Sequence, residues 1–327
     1  MLSGIKIFIC GGDSSNCDGG ERRKLASEVL YVFQSKSKKH FNHLTLLSSE
    51  LLPAFPGFDV FGGAVNGKLV VGNRKSVLEY DIQENGWNLL QSTNKSRNAG
   101  SAMCSITDRN LILAGGETNG DTVEILQFYD YNNLNVSTTS YHQQKNPPLS
   151  GWSLCVTRLP ILVSHHTLIK LHNKKVLLVG GIVDGLPSGR VFEGFLCDKE
   201  KDVMWKEAKS LKKSRQNHIH FKLGQNVYVA GGQGLNVHDI KVLSCCEVYN
   251  MESRKWVKSP HKLPYPLYGA SVVVDPGETF ALITGNFSAV TGASNRVIIF
   301  TEESGFVVYD KFSLKIPRFG HVSTRIE

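Results

Sequence analysis

Long apolar runs are absent from this chain of 327 residues. Stretches such as Ile7-Phe8-Ile9 or Val176-Leu177-Leu178-Val179 end after a few residues, whereas a membrane-spanning helix needs roughly 20. No charged segment followed by a long apolar core lies near the N-terminus, so neither a secretory leader nor a membrane partner is expected. The seven cysteines (Cys10, Cys17, Cys104, Cys155, Cys197, Cys245, Cys246) are odd in number and never spaced C-x-x-C. That pattern excludes the common zinc and dithiol motifs and fits thiols kept reduced in the cytoplasm. Asn94, Asn135 and Asn286 open N-x-S sequons, which without a leader read as chance matches. H-E-x-x-H, G-x-S-x-G and a P-loop are also missing, so no catalytic residue, metal or cofactor is assigned.

Charge is not gathered into one block. Lys and Arg outnumber Asp and Glu by 37 to 29, a formal net charge of +8. The densest basic clusters, 21–24, 36–39 and 209–215, flank predicted turns. No basic stripe interleaved with aromatics appears, which argues against a nucleic-acid partner. Proline is scarce at 11 residues while glycine reaches 31, a balance suited to many short strands joined by turns.

What is present is a repeat. Six short apolar strands each end in a Gly pair or a Gly-Asn pair: KIFICGG, KLVVGN, LILAGG, VLLVGG, VYVAGG and FALITGN. The residues are Gly11-Gly12, Gly72-Asn73, Gly115-Gly116, Gly180-Gly181, Gly231-Gly232 and Gly285-Asn286. A sharp turn in a crowded setting leaves no room for a Cβ and demands positive φ, which Asn tolerates better than most residues. Positive φ is therefore expected at several of the second positions. Beyond each pair come a polar loop, a strand ending near an aromatic, and a second large apolar residue. These read Phe33 with Phe41, Tyr80 with Trp87, Tyr129 with Val136, Phe195 with Trp205, Tyr249 with Trp256 and Phe300 with Phe306. Such a stripe reads as core between neighbouring repeats.

Three of the strands preceding a Gly pair open with arginine: Arg97, Arg215 and Arg318. The last has no Gly pair after it, and the first Gly pair has no such strand before it. Joined head to tail, the two ends make one complete repeat, so the C-terminal strand is expected to close the first unit and remove an exposed sheet edge. The Gly pair, the Tyr and Trp beyond it and the Arg before it resemble the kelch motif, over essentially the whole chain from Ile5. That resemblance implies one all-β, six-bladed propeller over residues 1–327, with four antiparallel strands per blade.

Function is then expected on loops and at the channel mouth rather than in the strands. Long insertions occupy 13–27, 141–161, 182–190 and 233–241. Trp152 lies in the second of these and is a candidate contact anchor or a cap on its own blade. Arg97, Arg215 and Arg318 are expected to ring one face, with Tyr265, Tyr268 and His165 at the equivalent points of other blades. In the BTB-kelch adaptors of cullin ubiquitin ligases, arginines at this motif position bind acidic degrons. By resemblance, the three would clamp an acidic protein or peptide; the alternative is that they pair with carboxylates and brace the ring. A ligase role would need fusion to a BTB domain, for which residues 1–327 leave no room. Scaffolding and actin association belong to the same protein-binding class. The competing class is a kelch-fold enzyme such as a sialic acid mutarotase, built from Arg215, His218 and a carboxylate among Glu117, Glu193 and Glu247. His218 recurs as His321 in the repeat, which favours a structural role.

Overall fold

The computed structural model describes residues 3–14, 27–34, 44–47, 51–52, 59–65, 67–81, 86–128, 150–197, 199–236, 239–288 and 291–326. Among them every regular element is a strand, and the strands form an all-β propeller. Four sheets have four antiparallel strands each. The first contains β5 (Phe61–Val65), β6 (Lys68–Asn73), β7 (Ser76–Asp81) and β8 (Gly86–Leu89). The second contains β9 (Ala102–Ser105), β10 (Asn110–Ala114), β11 (Val123–Phe128) and β12 (Ser150–Leu154). The third contains β13 (Thr167–His172), β14 (Lys175–Val179), β17 (Val191–Leu196) and β18 (Val203–Glu207), with the small hairpin β15 (Ile182–Val183) and β16 (Leu186–Pro187) inserted. The fourth contains β19 (Ile219–Leu223), β20 (Asn226–Ala230), β23 (Cys245–Asn250) and β24 (Lys255–Lys262), with the hairpin β21 (Gln233–Asn236) and β22 (Asp239–Val242).

The fifth sheet differs from expectation. It runs β25 (Ser271–Val274), β26 (Ala281–Ser288), β27 (Gly292–Thr301), β28 (Gly305–Ile326), β1 (Ser3–Asp13), β2 (Ser27–Gln34) and β3 (Leu44–Leu47), with β4 (Leu51–Leu52) also on β2. Six separate sheets were expected and five large ones are present, because β28 is continuous over 22 residues. Its first part pairs with β27, from Thr301↔Gly305 to Ser294↔Arg318. Its second part pairs with β1, from Asp13↔Phe319 to Lys6↔Ile326. The expected meeting of the two ends of the chain is thus present as a β1–β28 ladder.

The second strand of each repeat is buried along its length, as in β10 and β14. Both faces are covered, so the sequence there is continuously apolar instead of alternating. Outer strands are one-sided: in β24, Trp256 and Ser259 are buried while Lys255, Val257 and Lys258 are exposed. Six hydrophobic clusters lie between consecutive groups of four strands. Ile112 and Ile125 meet Val176 and Phe192, Tyr228 meets Ile283 and Phe300, and Ile7 and Leu30 meet Leu282 and Val297. Val70 meets Leu111 and Trp152, Leu177 meets Val227 and Trp256, and Phe8 meets Val71 and Tyr80.

The aromatic pairs fall on ladder rungs, with Tyr80 opposite Trp87, Tyr249 opposite Trp256 and Phe300 opposite Phe306. Trp205 sits opposite Gly194 instead of Phe195, and a Cβ on Gly194 would come within 2.7 Å of the indole. Trp152 is 6% exposed in β12, opposite Leu126. It fills the aromatic position of its own repeat, and its burial removes it as a contact anchor. The pair Tyr129 with Val136, residue Phe41, and the loop segments 15–26 and 141–149 lie outside the described residues.

Candidate functional site

Arg97, Arg215 and Arg318 have no exposed side-chain surface. Each enters its own four-strand group and meets one glutamate. Arg97 donates from Nη1 to the Gly115 carbonyl (2.7 Å) and from Nη2 to Glu124 (3.1 Å). Arg215 donates to the Gly231 carbonyl (2.9 Å) and Glu247 (2.8 Å). Arg318 donates to the Gly11 carbonyl (3.2 Å) and Glu28 (2.9 Å). Every one of these carboxylates also accepts two backbone N–H groups, from the residues three and two before its arginine. Those are Asn94 and Lys95 on Glu124 (2.6 and 3.1 Å), Lys212 and Lys213 on Glu247 (2.7 and 3.1 Å), and Lys315 and Ile316 on Glu28 (3.0 and 3.0 Å). The motif therefore straps the incoming loop to the third strand, with its charge paired internally through Nη1 and Nη2. With no exposed surface, these guanidinium groups brace the ring and present nothing to a ligand, which corrects the carboxylate-clamp role expected of them.

The glutamates carry a sequence signal that the arginine series alone does not reveal. Each lies in an otherwise apolar strand, opposite the residue two before the first Gly: Ile9↔Glu28, Leu113↔Glu124 and Val229↔Glu247. Where the arginine is missing, Phe192 and Ile298 take that rung. Glu79 is the exception, and it pairs with Lys68 at 2.7 Å.

The Gly pairs are explained by histidines as well as by backbone shape. The second glycines hold φ of 90° at Gly12, 114° at Gly116, 97° at Gly181 and 84° at Gly232, as expected. Neither Asn73 nor Asn286 adopts positive φ, so left-handed tolerance does not account for them; in that repeat Arg74 carries it (φ 49°). A Cβ on Gly115 would collide with the His166 ring, and one on Gly180 or Gly285 would lie 2.9 or 2.6 Å from His218 or His321 Cε1. Each imidazole is therefore wedged against the Gly pair of the preceding repeat. His218 Nε2 is 2.9 Å from Thr167 Oγ1, and His321 Nε2 is 3.0 Å from Thr284 Oγ1. Burial pushes the pKa of His166 down to about 3 and that of His220 to about 4. His218 and His321 are driven well down by burial and then by Arg215 and Arg318 respectively. All four are neutral at pH 7.

Above these wedges, six residues with positive φ circle the channel: Asp59, Gly100, His165, Asn217, Gly269 and Gly320. Their backbones hand on hydrogen bonds, from His165 N to Gly100 O (2.7 Å), Asn217 N to His165 O (3.1 Å), Gly269 N to Asn217 O (3.0 Å) and Gly320 N to Gly269 O (2.7 Å). This girdle borders a channel cavity of about 750 Å³. At its mouth His165 stands 3.9 Å from Glu117, and its pKa is lowered by burial against the opposing pull of Glu117 and Asp59. Across the mouth Tyr268, Phe287 and Phe319 form an aromatic group with centroids 4.9 to 6.5 Å apart. His165 and Tyr268 border the cavity, but the points equivalent to the arginines are held by Val163 and Leu267, whose carbonyls accept from Gly116 and Gly232 as that of Arg215 does from Gly181 (2.9 Å each). Tyr265 does not line this cavity; its hydroxyl accepts from Asn286 (3.3 Å) and its ring lies under Arg296.

Arg215, His218 and Glu247, the trio considered for acid–base work, do come together, but as an ion pair beside a wedged neutral imidazole. Glu193 lies elsewhere, bound to Lys175 (3.1 Å) and Arg254 (3.2 Å). No group of three metal-binding side chains occurs among the described residues. Nor is any helix among them long and apolar enough to cross a membrane. No protein-family model matches the chain, and no curated protein matches it either.

Proposed function

We propose that this chain is a six-bladed propeller of the kelch type that binds another protein on the face onto which its Gly pairs open, and does so without catalysis. Reading the eight-stranded sheet as two blades sharing β28 accounts for the six inter-group clusters. The arginine, Gly pair and aromatic rungs are the residues that carry the kelch likeness. The observation that carries the binding reading is the division of labour among polar groups. Arg97, Arg215 and Arg318 are buried in ion pairs that hold the ring, whereas the hairpins β15–β16 and β21–β22 leave Leu186, Leu235 and Ile240 exposed. A reducing cytoplasmic setting suits the six described cysteines, all free, four of whose thiols are pushed up to about 12 by burial. A cullin-ligase role would further require a BTB domain, and actin association would be another use of the same face.

Affinity capture from cytosol tests this with the wild type beside two folded variants. One shortens the β21–β22 hairpin to a two-residue turn, and the other carries Glu117→Lys with Tyr268→Ala at the mouth. A partner held by the wild type and lost from either variant is expected; identical capture by all three would sink the reading. Anomer exchange of N-acetylneuraminate followed by NMR probes the enzyme class. Acceleration by the wild type that disappears in His218→Ala would replace the proposal with a mutarotase.

A further inference from the structure

The net charge of the protein is concentrated in one stretch. Residues 170–262 hold 17 Lys and Arg against 9 Asp and Glu, a net of +8, while the rest of the chain carries 20 of each sign. That stretch builds the sheets β13-β14-β17-β18 and β19-β20-β23-β24 with their hairpins. Several basic side chains are neutralised, within the stretch as Lys175 is by Glu193 and Arg190 by Glu207, and outside it as Lys68 is by Glu79 and Arg158 by Asp121. Lys209, Lys212, Lys213, Lys241, Lys258 and Lys262 are instead exposed, and none has a carboxylate within 4.0 Å among the described residues.

These lysines share one sector with three of the exposed aliphatic residues, Leu186, Leu235 and Ile240. The loop bearing Lys212 and Lys213 is pinned to β23 by the two backbone bonds to Glu247. Its Ser214 hydroxyl accepts from Leu235 N (3.4 Å), and Gly234 packs close against the Ser214 carbonyl, which sets the loop beside the β21–β22 hairpin. Lys241 is on β22, next to Ile240, and Ile240 faces Leu235 across the hairpin. Lys258 is opposite Glu247 and Lys262 opposite Cys245, so the outer strand brings two more ammonium groups toward the same end. The hairpin β15–β16 packs against β21 and adds Leu186.

We infer that this sector docks an acidic protein segment carrying aliphatic side chains. The inference rests on the protein-binding reading and specifies its place and partner chemistry. Unpaired lysines on pinned backbone supply charge complementarity with little reorganisation, and Leu186, Leu235 and Ile240 supply apolar contacts between them. A flat anionic membrane fits less well. The turn of one hairpin contains Asp184, and β22 of the other begins at Asp239; a narrow peptide can lie clear of both carboxylates, whereas a flat anionic surface has to meet them.

The test pans a display library of random dodecapeptides against the full chain, and measures enriched peptides by fluorescence anisotropy. Enriched sequences should be rich in Asp, Glu and Leu or Ile, and their affinity should fall steeply on raising salt to about 0.5 M. Lys209→Glu/Lys212→Glu/Lys213→Glu/Lys241→Glu should weaken binding by about tenfold or more. Leu235→Ser/Ile240→Ser should weaken it too, while the distant pair Lys75→Glu/Lys311→Glu should not, each variant first checked for an unchanged melting transition. Equal loss in the distant pair would reduce the effect to general charge attraction and overturn the inference. Enrichment of peptides that bind undiminished to the sector variants would overturn it while leaving the binding reading standing. No enrichment of any peptide would remove both. Sedimentation with phosphatidylserine–phosphatidylcholine vesicles that is lost in the same variants, without peptide binding, would assign the sector to membrane.

Discussion

A guanidinium taken wholly out of water keeps its charge only if every neighbour is arranged to hold it, and Arg215 shows what that takes. Two carbonyls, one carboxylate and two backbone amides behind the carboxylate are arranged around it. Removing one member strands the rest. Arg215→Ala should therefore lower stability by about 3–5 kcal/mol in urea denaturation, and Glu247→Ala should cost a similar amount. The double substitution Arg215→Met/Glu247→Leu should recover much of that loss, because an apolar pair leaves no buried charge unpaired. Additive losses in the double variant would show that the two do not act as a pair. The position of the arginines was legible from the repeat, but their surroundings were not. Arg215 and Glu247 are 32 residues apart, and Arg318 and Glu28 are 290 apart, so only strand register brings them together. A lone Glu in an apolar run such as C-C-E-V-Y was the available sign.

At the scale of the strand, Trp152 and β28 carry the lesson. Trp152 read as a loop residue because a long insertion separates β11 from β12, which hides the repeat spacing even though the rung is kept. Trp152→Ala should cost about 3–5 kcal/mol, as a large core truncation does, and should leave partner affinity unchanged once the protein is folded. A normal melting temperature with lost binding would restore it as a contact residue. The Gly-pair strands were readable because their signal is local, a short apolar run and a turn. The fusion of two four-strand groups through β28 was not, since no residue marks where one ladder ends and the next begins. Deleting residues 319–327 should abolish the cooperative unfolding transition seen by circular dichroism, since it strips β1 of a partner and leaves an open edge. A truncated protein that still melts sharply would show that the β1–β28 ladder is dispensable.

For the whole molecule, the buried imidazoles set a direction of acid sensitivity. In the unfolded chain each histidine takes up a proton near its ordinary value of about 6.5. In the folded chain His166 and His220 resist until about 3 and about 4, with His218 and His321 also held well down. Below pH 6.5 the unfolded state thus binds more protons, and stability falls as pH drops, by about 1.4 kcal/mol per pH unit for each such histidine. Melting temperature should therefore decline steadily from pH 7 to pH 4.5, and less steeply in a folded His166→Asn variant. An unchanged slope would mean that His166 is not held neutral by the fold.

The ladder between β1 and β28 has a mechanical consequence. Ser3 and Ile326 lie at the same end of two antiparallel neighbours, so tension applied across them would not shear the ladder as a block but peel it rung by rung. The peeling front would advance from Lys6↔Ile326 toward Asp13↔Phe319 and then meet Arg318, whose tether to Glu28 crosses from β28 to β2. That ion pair is the latch of the ring: a load that opens the rungs one at a time must break a buried charge pair before the circle parts.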